Sequence, residues 1–465
     1  MLPEEFILLV PFAALALLIS FYFFSGARSH ARLASYVAFY IGFYVFLEGF
    51  PAIILVALMD APNWVDRLRP MSWATGLLLS IVFFIVIAFL LPKRAGVTTR
   101  KWANLINVYM PSDTLYKTAL VLYPLALIGK YSIPSETMEL GFMAANRAAS
   151  DSIDVSGMPF LGPFAALFYP LSAYLIFVFR SGEKGGKFRR LQTAVIFSLC
   201  AFTVGYHMLV KGGRGEIISL MFPLLLVYWL MGERRKVLFS LGSVGLILVF
   251  LTPFVYEYRN DSRNYIGQDM SSRLGNFSTI FDFSDFDAKS FFSSFRKVVF
   301  RFDGVPHGGN LALYTLEDLN RFVYFNPYLG ALVGVIPRQL WPSKPTPGSG
   351  NGLSSDTPQW KSGFISNRPG LATSVSVPGI LFWHFGIFGV FLGALVTAGF
   401  LKVMIYLGDT LGRNDVVLLL LFVINPIRGP DVILLNIFQW IIPIVILLSC
   451  IRTLRRGRPA LGSRM

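Results

Sequence analysis

The chain has 465 residues, of which 54% are hydrophobic and 14% are charged, against about 25% charged residues in an average soluble domain. Its mean hydropathy is +0.60 and long apolar runs recur along it, so the composition excludes an ordinary soluble protein and predicts a multi-span membrane protein. The formal net charge of +15 does not by itself indicate nucleic acid, because lysine and arginine in a membrane protein first of all set its orientation.

The apolar runs predict an all-α protein with about eleven membrane-spanning helices, at roughly 20 residues for each crossing. They lie near residues 5–24, 35–58, 72–92, 115–131, 159–180, 191–210, 215–231, 237–256, 377–402, 415–427 and 432–451. The start, MLPEEFILLV, has neither a cationic region nor a small-residue cleavage site, so we expect a retained first span and no signal peptide.

The basic residues of the short loops predict the orientation, because such residues concentrate on the cytoplasmic side. They are Arg28, Arg32, Lys93, Arg94, Arg100, Lys101, Lys184, Lys187, Arg189, Arg190, Arg234, Arg235, Lys236 and those of the tail RTLRRGR. All of these segments fall on one side of the predicted bundle. We therefore expect a cytoplasmic C-terminus, with the N-terminus and the acidic loop 132–158 on the opposite side.

Four regions follow from this topology. Residues 1–256 hold the first eight spans, 257–376 form one large loop on the non-cytoplasmic side, 377–451 hold the last three spans, and 452–465 are a basic cytoplasmic tail. A loop this long without a span is usually functional, and we expect amphipathic helices in it.

The turn KGGRGE, between the sixth and seventh spans, is a candidate anion site. Glycines on both sides of Arg214 let backbone N–H groups converge beside a guanidinium. The alternative is a short polar hairpin whose charged side chains extend to the membrane surface.

The stretch YEYRNDSRN follows the eighth span. If the helix continues, Arg259 and Arg263 share a face with Tyr256. Guanidiniums beside an aromatic ring suit a pyrophosphate joined to a sugar, because the fork binds phosphate oxygens and the ring covers sugar C–H groups. An interfacial belt of aromatic residues and arginines explains the same pattern.

Two further arginines lie where the predicted topology meets the outer surface. FRKVVFRFDG places Arg301 and Asp303 at the end of an amphipathic stretch, suited to holding a phosphate and positioning a hydroxyl, although a wetted interfacial helix has the same pattern. Arg428 lies in the short turn NPIRGPD, where flanking prolines and a glycine restrict the backbone.

Four histidines are present, and no two of them have the spacing of metal ligands. His307 lies in GVPHGGN, which predicts a flexible polar turn, and His384 lies in FWHFG at the outer end of the ninth span. A histidine among aromatic residues is ordinarily a hydrogen-bonded core residue. The acidic stretch DFSDFD is interpreted as a surface element, so we expect no metal and no cofactor.

One run of features resembles a known family. The sequence IPRQLWPSKP precedes the span SVSVPGILFWHFGIFGVFLGAL, and a GR turn, an arginine after the next span and an R-x-D motif come before it. Over roughly residues 200–440 this order resembles the oligosaccharide repeat-unit polymerases, the Wzy-type O-antigen and exopolysaccharide polymerases of bacterial inner membranes. The N-terminal spans match this family only in hydropathy.

The resemblance implies a GT-C-like, metal-independent, inverting glycosyltransferase that works at the periplasmic face. It would move a growing glycan from one undecaprenyl pyrophosphate carrier onto a repeat unit held by a second. The candidate pyrophosphate-binding residues are then Arg214, Arg259, Arg263, Arg338, Lys344 and Arg428. The candidate glycan-binding residues are Trp341 and Tyr256, and the candidate catalytic residues are His384, Asp303 and Arg301. Relatives carry an acid ahead of the FG of this span, where this chain has Ile380 and His384, so the general base stays open.

Membrane lipid and a chain-length regulator are further expected partners, and nucleic acid is not. An O-antigen ligase uses the same donor with lipid A core as acceptor, and the sequence separates it poorly from a polymerase. A transporter or flippase for lipid-linked sugars predicts charges at span centres, whereas nearly all charges here lie at span ends. A scaffold without activity leaves the outer arginines without a role.

Overall fold

The computed structural model describes residues 7–27, 32–57, 70–91, 112–131, 164–165, 167–181, 188–211, 215–261, 275, 304–318, 322–325, 341 and 375–411. The regular structure of these residues is all α-helical. The helices are α1 (Leu9–Gly26), α2 (Arg32–Ala57), α3 (Pro70–Leu90), α4 (Ser112–Tyr131), α5 (Phe168–Ser181), α6 (Arg189–Lys211), α7 (Gly215–Leu230), α8 (Arg234–Asp261), α9 (Gly304–Glu317) and α10 (Val377–Leu411).

Nine of the predicted spans overlap a helix, and the last two lie outside the described residues. Within the described part of the chain, five stretches are long and apolar enough to cross a membrane: Leu9–Gly26, Leu33–Ile54, Pro70–Leu90, Arg189–Met208 and Val377–Ile405. The prediction of a polytopic, all-helical membrane protein is therefore confirmed.

The first helix group consists of α1, α2, α3, α9 and α10, which share one buried core. Small residues bring its helices close together. A side chain at Gly49 of α2 would meet Ala16 of α1 at 2.9 Å. Such small-residue contacts are typical of helix pairs in membranes, where packing rather than the hydrophobic effect holds helices together.

The second helix group consists of α4 to α8, with α5 at its centre. Residues 168–179 of α5 are all buried. A helix that is apolar on every side becomes the core of its bundle. Its neighbours contribute large aromatic side chains, as where Tyr123 of α4 stacks on Phe168 of α5.

Helices α2 and α7 join the two groups. The Trp229 indole N–H donates a hydrogen bond to Ser35 Oγ at 2.8 Å, and the Tyr36 hydroxyl donates one to the Phe222 carbonyl at 3.3 Å. The rings of Phe39 and Trp229 have centroids 4.8 Å apart.

Ion pairs place the ends of α5 and α7 at the same end of the bundle. Arg180 and Lys236 contact the Glu233 carboxylate at 3.4 and 2.9 Å, and Arg234 lies over the Trp229 ring. The end of α5 and the start of α8 therefore lie at one end of the bundle.

The prediction that GVPHGGN is a flexible turn was wrong. These residues form the first half of α9, and Val305 to Asn310 are buried. Gly308 and Gly309 do not bend the chain here; they let α9 approach α3 and α10 at backbone contact.

The ninth predicted span is a helix with an interruption at Phe385 (φ −143°, ψ 27°) and Gly386 (φ 62°, ψ −151°). A side chain at Gly389 would overlap the Leu381 carbonyl, and one at Gly393 would overlap the Leu381 side chain. In a straight helix, residues eight apart are about 12 Å apart along the axis. Residues 377–384 therefore fold back against residues 387–411, and α10 is a helical hairpin with a short first arm.

Candidate functional site

Helices α3, α9 and the first arm of α10 meet at a junction formed by glycines. A side chain at Gly76 would overlap the Val305 carbonyl, and one at Gly309 would overlap the Ser72 carbonyl. Gly308 and Gly379 touch in the same way. We call this contact the glycine junction.

Two helices begin side by side at the glycine junction. The Ser376 N–H, just before α10, donates a hydrogen bond to the carbonyl of Gly304, the first residue of α9, at 2.8 Å. Further along, Leu311 packs with Trp383. The short arm of α10 and α9 therefore run parallel, with their N-termini together.

These two N-termini lie within the length of α3. Val305 contacts Gly76, which is six residues inside a helix that begins at Pro70, and six residues correspond to about 9 Å along the axis. Since α3 is apolar enough to cross a membrane, the two helices start below the surface at which α3 begins. That end of α3 is the outer one in the predicted orientation.

The electrostatics of the junction favour an anion. A helix N-terminus carries about half a positive charge and N–H groups without intrahelical partners, and neither α9 nor α10 has an acid in its first turn. Helix N-termini at membrane depth bind anionic substrate groups in transporters with broken helices. Two such ends side by side provide donors and positive potential for an anionic group.

The junction also buries several polar side chains. Ser72 Oγ donates a hydrogen bond to Asn310 Oδ1, while Asn310 Nδ2 and Ser376 Oγ have no hydrogen-bond partner among the described residues. His307, three residues before Asn310 in α9, is buried as well. Because buried polar groups are ordinarily satisfied, such atoms are candidate contacts for a ligand or a water molecule.

His384 is the last residue of the short arm, and its side chain has no exposed surface. The backbone N–H of Val323 donates to the Trp383 carbonyl at 3.2 Å, satisfying an acceptor that the end of the arm leaves open. Tyr324 and Phe325 pack against Phe385. His384 is therefore a buried residue that contacts the Phe385 ring, and it does not face solvent.

A second polar cluster joins α4, α5, α6 and α7 in the second helix group. Lys130 Nζ lies 2.7 Å from Glu216 Oε2, with side chains 12% and 18% exposed, and 4.7 Å from the centre of the Tyr169 ring. The cluster is completed by Tyr131, Thr203, Tyr206 and His207. Glu216 is the last residue of KGGRGE, so the Lys130–Glu216 cluster adjoins the turn that holds Arg214.

Glu48 is a third buried polar feature, inside the apolar helix α2. Its side chain is 6% exposed and lies beside the hydroxyls of Ser80 and Tyr44, although neither carboxylate oxygen has a hydrogen bond of ordinary geometry to a described residue. A carboxyl group within a membrane span is costly and marks a functional candidate by default.

The structure describes few of the predicted site residues at side-chain level. Trp341 is 39% exposed, and His384 is buried as described above. Helix α8 continues through Tyr256 and Arg259 to Asp261, which confirms the helical continuation over these two residues. The candidates outside the described residues are Arg214, Arg263, Arg301, Asp303, Arg338, Lys344 and Arg428.

Sequence reasoning missed several polar groups. Glu48 had a usable signal, because it is a lone acid in an otherwise apolar run. Lys130 and Glu216 are 86 positions apart, and nothing in their local sequence indicates that they pair. The roles of Asn310 and Ser376 depend on the contact between α9 and α10.

None of the known protein families, curated proteins or solved structures with which the chain was compared gives a match. Among the described residues, no group of three or more histidines, cysteines and acids is arranged to hold a metal ion.

Proposed function

We propose that the protein polymerises undecaprenyl-pyrophosphate-linked oligosaccharide repeat units at the outer face of a bacterial inner membrane. It would be an inverting, metal-independent glycosyltransferase with eleven spans and a GT-C-like arrangement. The proposal starts from the resemblance over residues 200–440, and the glycine junction is the observation that supports it best.

The glycine junction suits the leaving group of this reaction. When the bond between the sugar and the pyrophosphate breaks, negative charge grows on the phosphate oxygens. The paired N-termini of α9 and α10 stabilise that charge more strongly in the transition state than before it, which is the condition for acceleration. The acceptor hydroxyl attacks the sugar carbon from the opposite side, loses its proton to a base, and the carrier pyrophosphate departs.

The predicted phosphate-binding residues precede the two helix N-termini in the chain. Arg301 and Asp303 come directly before Gly304, where α9 begins, and Arg338 and Lys344 lie in the loop that leads to α10. Guanidiniums supply planar, two-pronged contacts to phosphate oxygens. In our proposal they complete the phosphate site that the helix ends begin.

For Asp303, capping of a helix has to be distinguished from a catalytic role. It stands just before the first residue of α9, where aspartate is a favoured helix N-cap. Asp303→Asn keeps the capping ability and removes the charge. Retained polymer synthesis in Asp303→Asn would assign the residue to capping, whereas loss in a normally folded variant would support its catalytic role.

The decisive experiment is a deletion in the native host, with lipid-linked and cell-surface glycans separated on gels. We expect the deletion strain to make single repeat units without polymer. Complementation with wild type restores polymer, while Arg301→Ala and Arg338→Ala do not, although each variant is inserted at wild-type amounts. Arg235→Ala removes the same charge at the opposite end of the bundle and is the matched control.

Other outcomes of the deletion experiment would indicate a different function. Long polymer that accumulates on undecaprenyl pyrophosphate, unattached to lipid A, would indicate the ligase. Unchanged glycans would exclude both enzymes. Full activity of both arginine variants would refute the phosphate site at the junction.

A lipid-linked sugar transporter is the second candidate, because two observations favour it. Glu48 lies buried inside a span, and α10 is interrupted as helices are at transporter binding sites. In that case the deletion strain would accumulate repeat units that a membrane-impermeant glycan-cleaving enzyme cannot reach from outside. Repeat units that stay accessible from outside would exclude transport.

A further inference from the structure

A cavity of about 430 Å³ lies between the end of α5 and the start of α6, away from the glycine junction. It is lined by Phe179, Arg180, Arg189, Arg190, Thr193, Ala194 and Phe197. Three guanidiniums thus border one cavity, and none of its lining residues is acidic. This end of α5 and α6 is the one that the basic loops predict to face the cytoplasm.

The positive charges at the start of α6 are electrostatically unfavourable for that helix. The first turn of α6 carries Arg189 and Arg190 and no acid, although the N-terminus of a helix is its positive end and favours anions. Arg180 is held on one side by Glu233 at 3.4 Å. A local arrangement that breaks a stability rule in this way is typical of a functional site.

The lining of the cavity is basic near the start of α6 and apolar further along the helix. Arg190, Ala194 and Phe197 follow one face of α6 at helical spacing, and Phe197 lies about 10 Å deeper than Arg190 along the axis. Phe179 of α5 forms the facing apolar wall. A small soluble anion would contact only the arginines. A phospholipid would contact both parts, with its phosphate at the arginines and an acyl chain at the apolar residues.

The outer face of α6 offers access from the bilayer. Phe188 and Leu191 are 70% and 62% exposed, and Val195 is exposed as well. These residues are spaced three and four apart on one face, next to the face that lines the cavity. Exposed apolar side chains at the end of a membrane helix are compatible with lipid acyl chains.

We propose that this cavity binds the phosphate headgroup of an anionic phospholipid of the predicted cytoplasmic leaflet. Arg180, Arg189 and Arg190 hold the phosphate, and an acyl chain lies against Ala194 and Phe197. Basic cavities between membrane helices on this side are suited to anionic headgroups. The site is separate from the proposed glycosyl transfer, and its test does not depend on that activity.

Native mass spectrometry of the full-length protein in detergent tests this proposal. The protein is titrated with phosphatidylglycerol and with phosphatidylcholine of the same acyl chains. We expect wild type to retain phosphatidylglycerol selectively. R189Q/R190Q should weaken that binding about 30-fold, from about 1 kcal/mol for each cation lost, without changing the melting temperature, because both side chains are exposed.

Two further variants keep the result interpretable. R235Q/K236Q removes the same charge from exposed positions at the same end of the bundle and should bind as wild type does. A194W fills the apolar part and keeps all three arginines, so it should also lose the lipid.

Equal binding of the two lipids, or equal loss in R235Q/K236Q, would overturn the proposal. Competition with inorganic phosphate tests whether the cavity instead binds a soluble anion. If phosphate displaces phosphatidylglycerol at equal concentration and A194W still binds the lipid normally, the cavity takes a soluble anion and the lipid proposal is wrong.

Discussion

The two helix groups are held together by different means. In the first group, backbones touch at glycines, as α3, α9 and α10 do at the glycine junction. In the second group, large aromatic side chains surround α5, and an ion pair joins α4 to α7. Close backbone contact lets the first group contain a broken helix, because neighbouring chain satisfies the freed carbonyl of Trp383. In the second group, a partly buried charge is instead stabilised by another side chain, as in the pair Lys130 and Glu216.

The largest expected effect is at the glycine junction. Gly309→Leu places a side chain where the Ser72 carbonyl lies, and no rotamer relieves an overlap with backbone. We expect α9 to separate from α3 at a cost of about 3 kcal/mol or more, measured as a fall in melting temperature in detergent. Gly242→Leu is the matched control, because nothing lies within 4 Å of a side chain there. Equal melting temperatures would show that α9 does not pack as described.

The ion pair of the second group comes next. Lys130→Met leaves the Glu216 carboxylate 18% exposed and without its partner. We expect a loss of about 2 kcal/mol, less than for a fully buried pair. The double variant Lys130→Met with Glu216→Leu should recover part of it, since no unpaired charge remains.

Lys236→Met serves as the control for this experiment. Lys236 pairs with Glu233 but is 54% exposed, so its removal should cost under about 1 kcal/mol. If Lys130→Met costs no more than Lys236→Met, the second group does not depend on a buried charge pair.

The next largest effect is expected at the turn of the α10 hairpin, which requires an unusual backbone conformation. Gly386 adopts φ 62° and ψ −151°, a backbone region open essentially to glycine alone. Gly386→Ala should therefore lower the free energy of unfolding by about 1–2 kcal/mol, and it should reduce the polymer synthesis that we propose if the hairpin shapes the site. Gly399→Ala in the same helix meets nothing within 4 Å. It should leave polymer synthesis at the wild-type level and should not lower the free energy of unfolding, because alanine favours a helix more than glycine does.

The smallest expected effect lies where the groups meet. Ser35→Ala removes the acceptor of the Trp229 indole N–H at a cost of about 1 kcal/mol. Ser20→Ala is the control, because that hydroxyl bonds only locally, to the carbonyl of Leu17. Chemical denaturation of both variants measures the difference. Identical curves would remove this bond from the interface between the groups.

Hydropathy predicted the helices well and their contacts poorly. The predicted third span, 72–92, corresponds to α3 at Pro70–Leu90, because a helix that must bury about 20 residues in lipid shows its length directly in the sequence. The predicted turn GVPHGGN failed because glycine permits a turn and a tight helix contact equally well. The interruption at Gly386 was not predicted, because glycine is also common in uninterrupted membrane helices.

The sequence by itself determined the class of protein and the approximate position of its spans, since each follows from local composition and the cost of unpaired backbone in lipid. Only the tertiary structure decided that α9 and α10 begin together, that Lys130 pairs with Glu216, and that three arginines border one cavity. The first two features bring together residues far apart in the chain, and the third depends on how the end of α5 packs against the start of α6. Their energies depend on distances between atoms, which no local pattern of residues specifies.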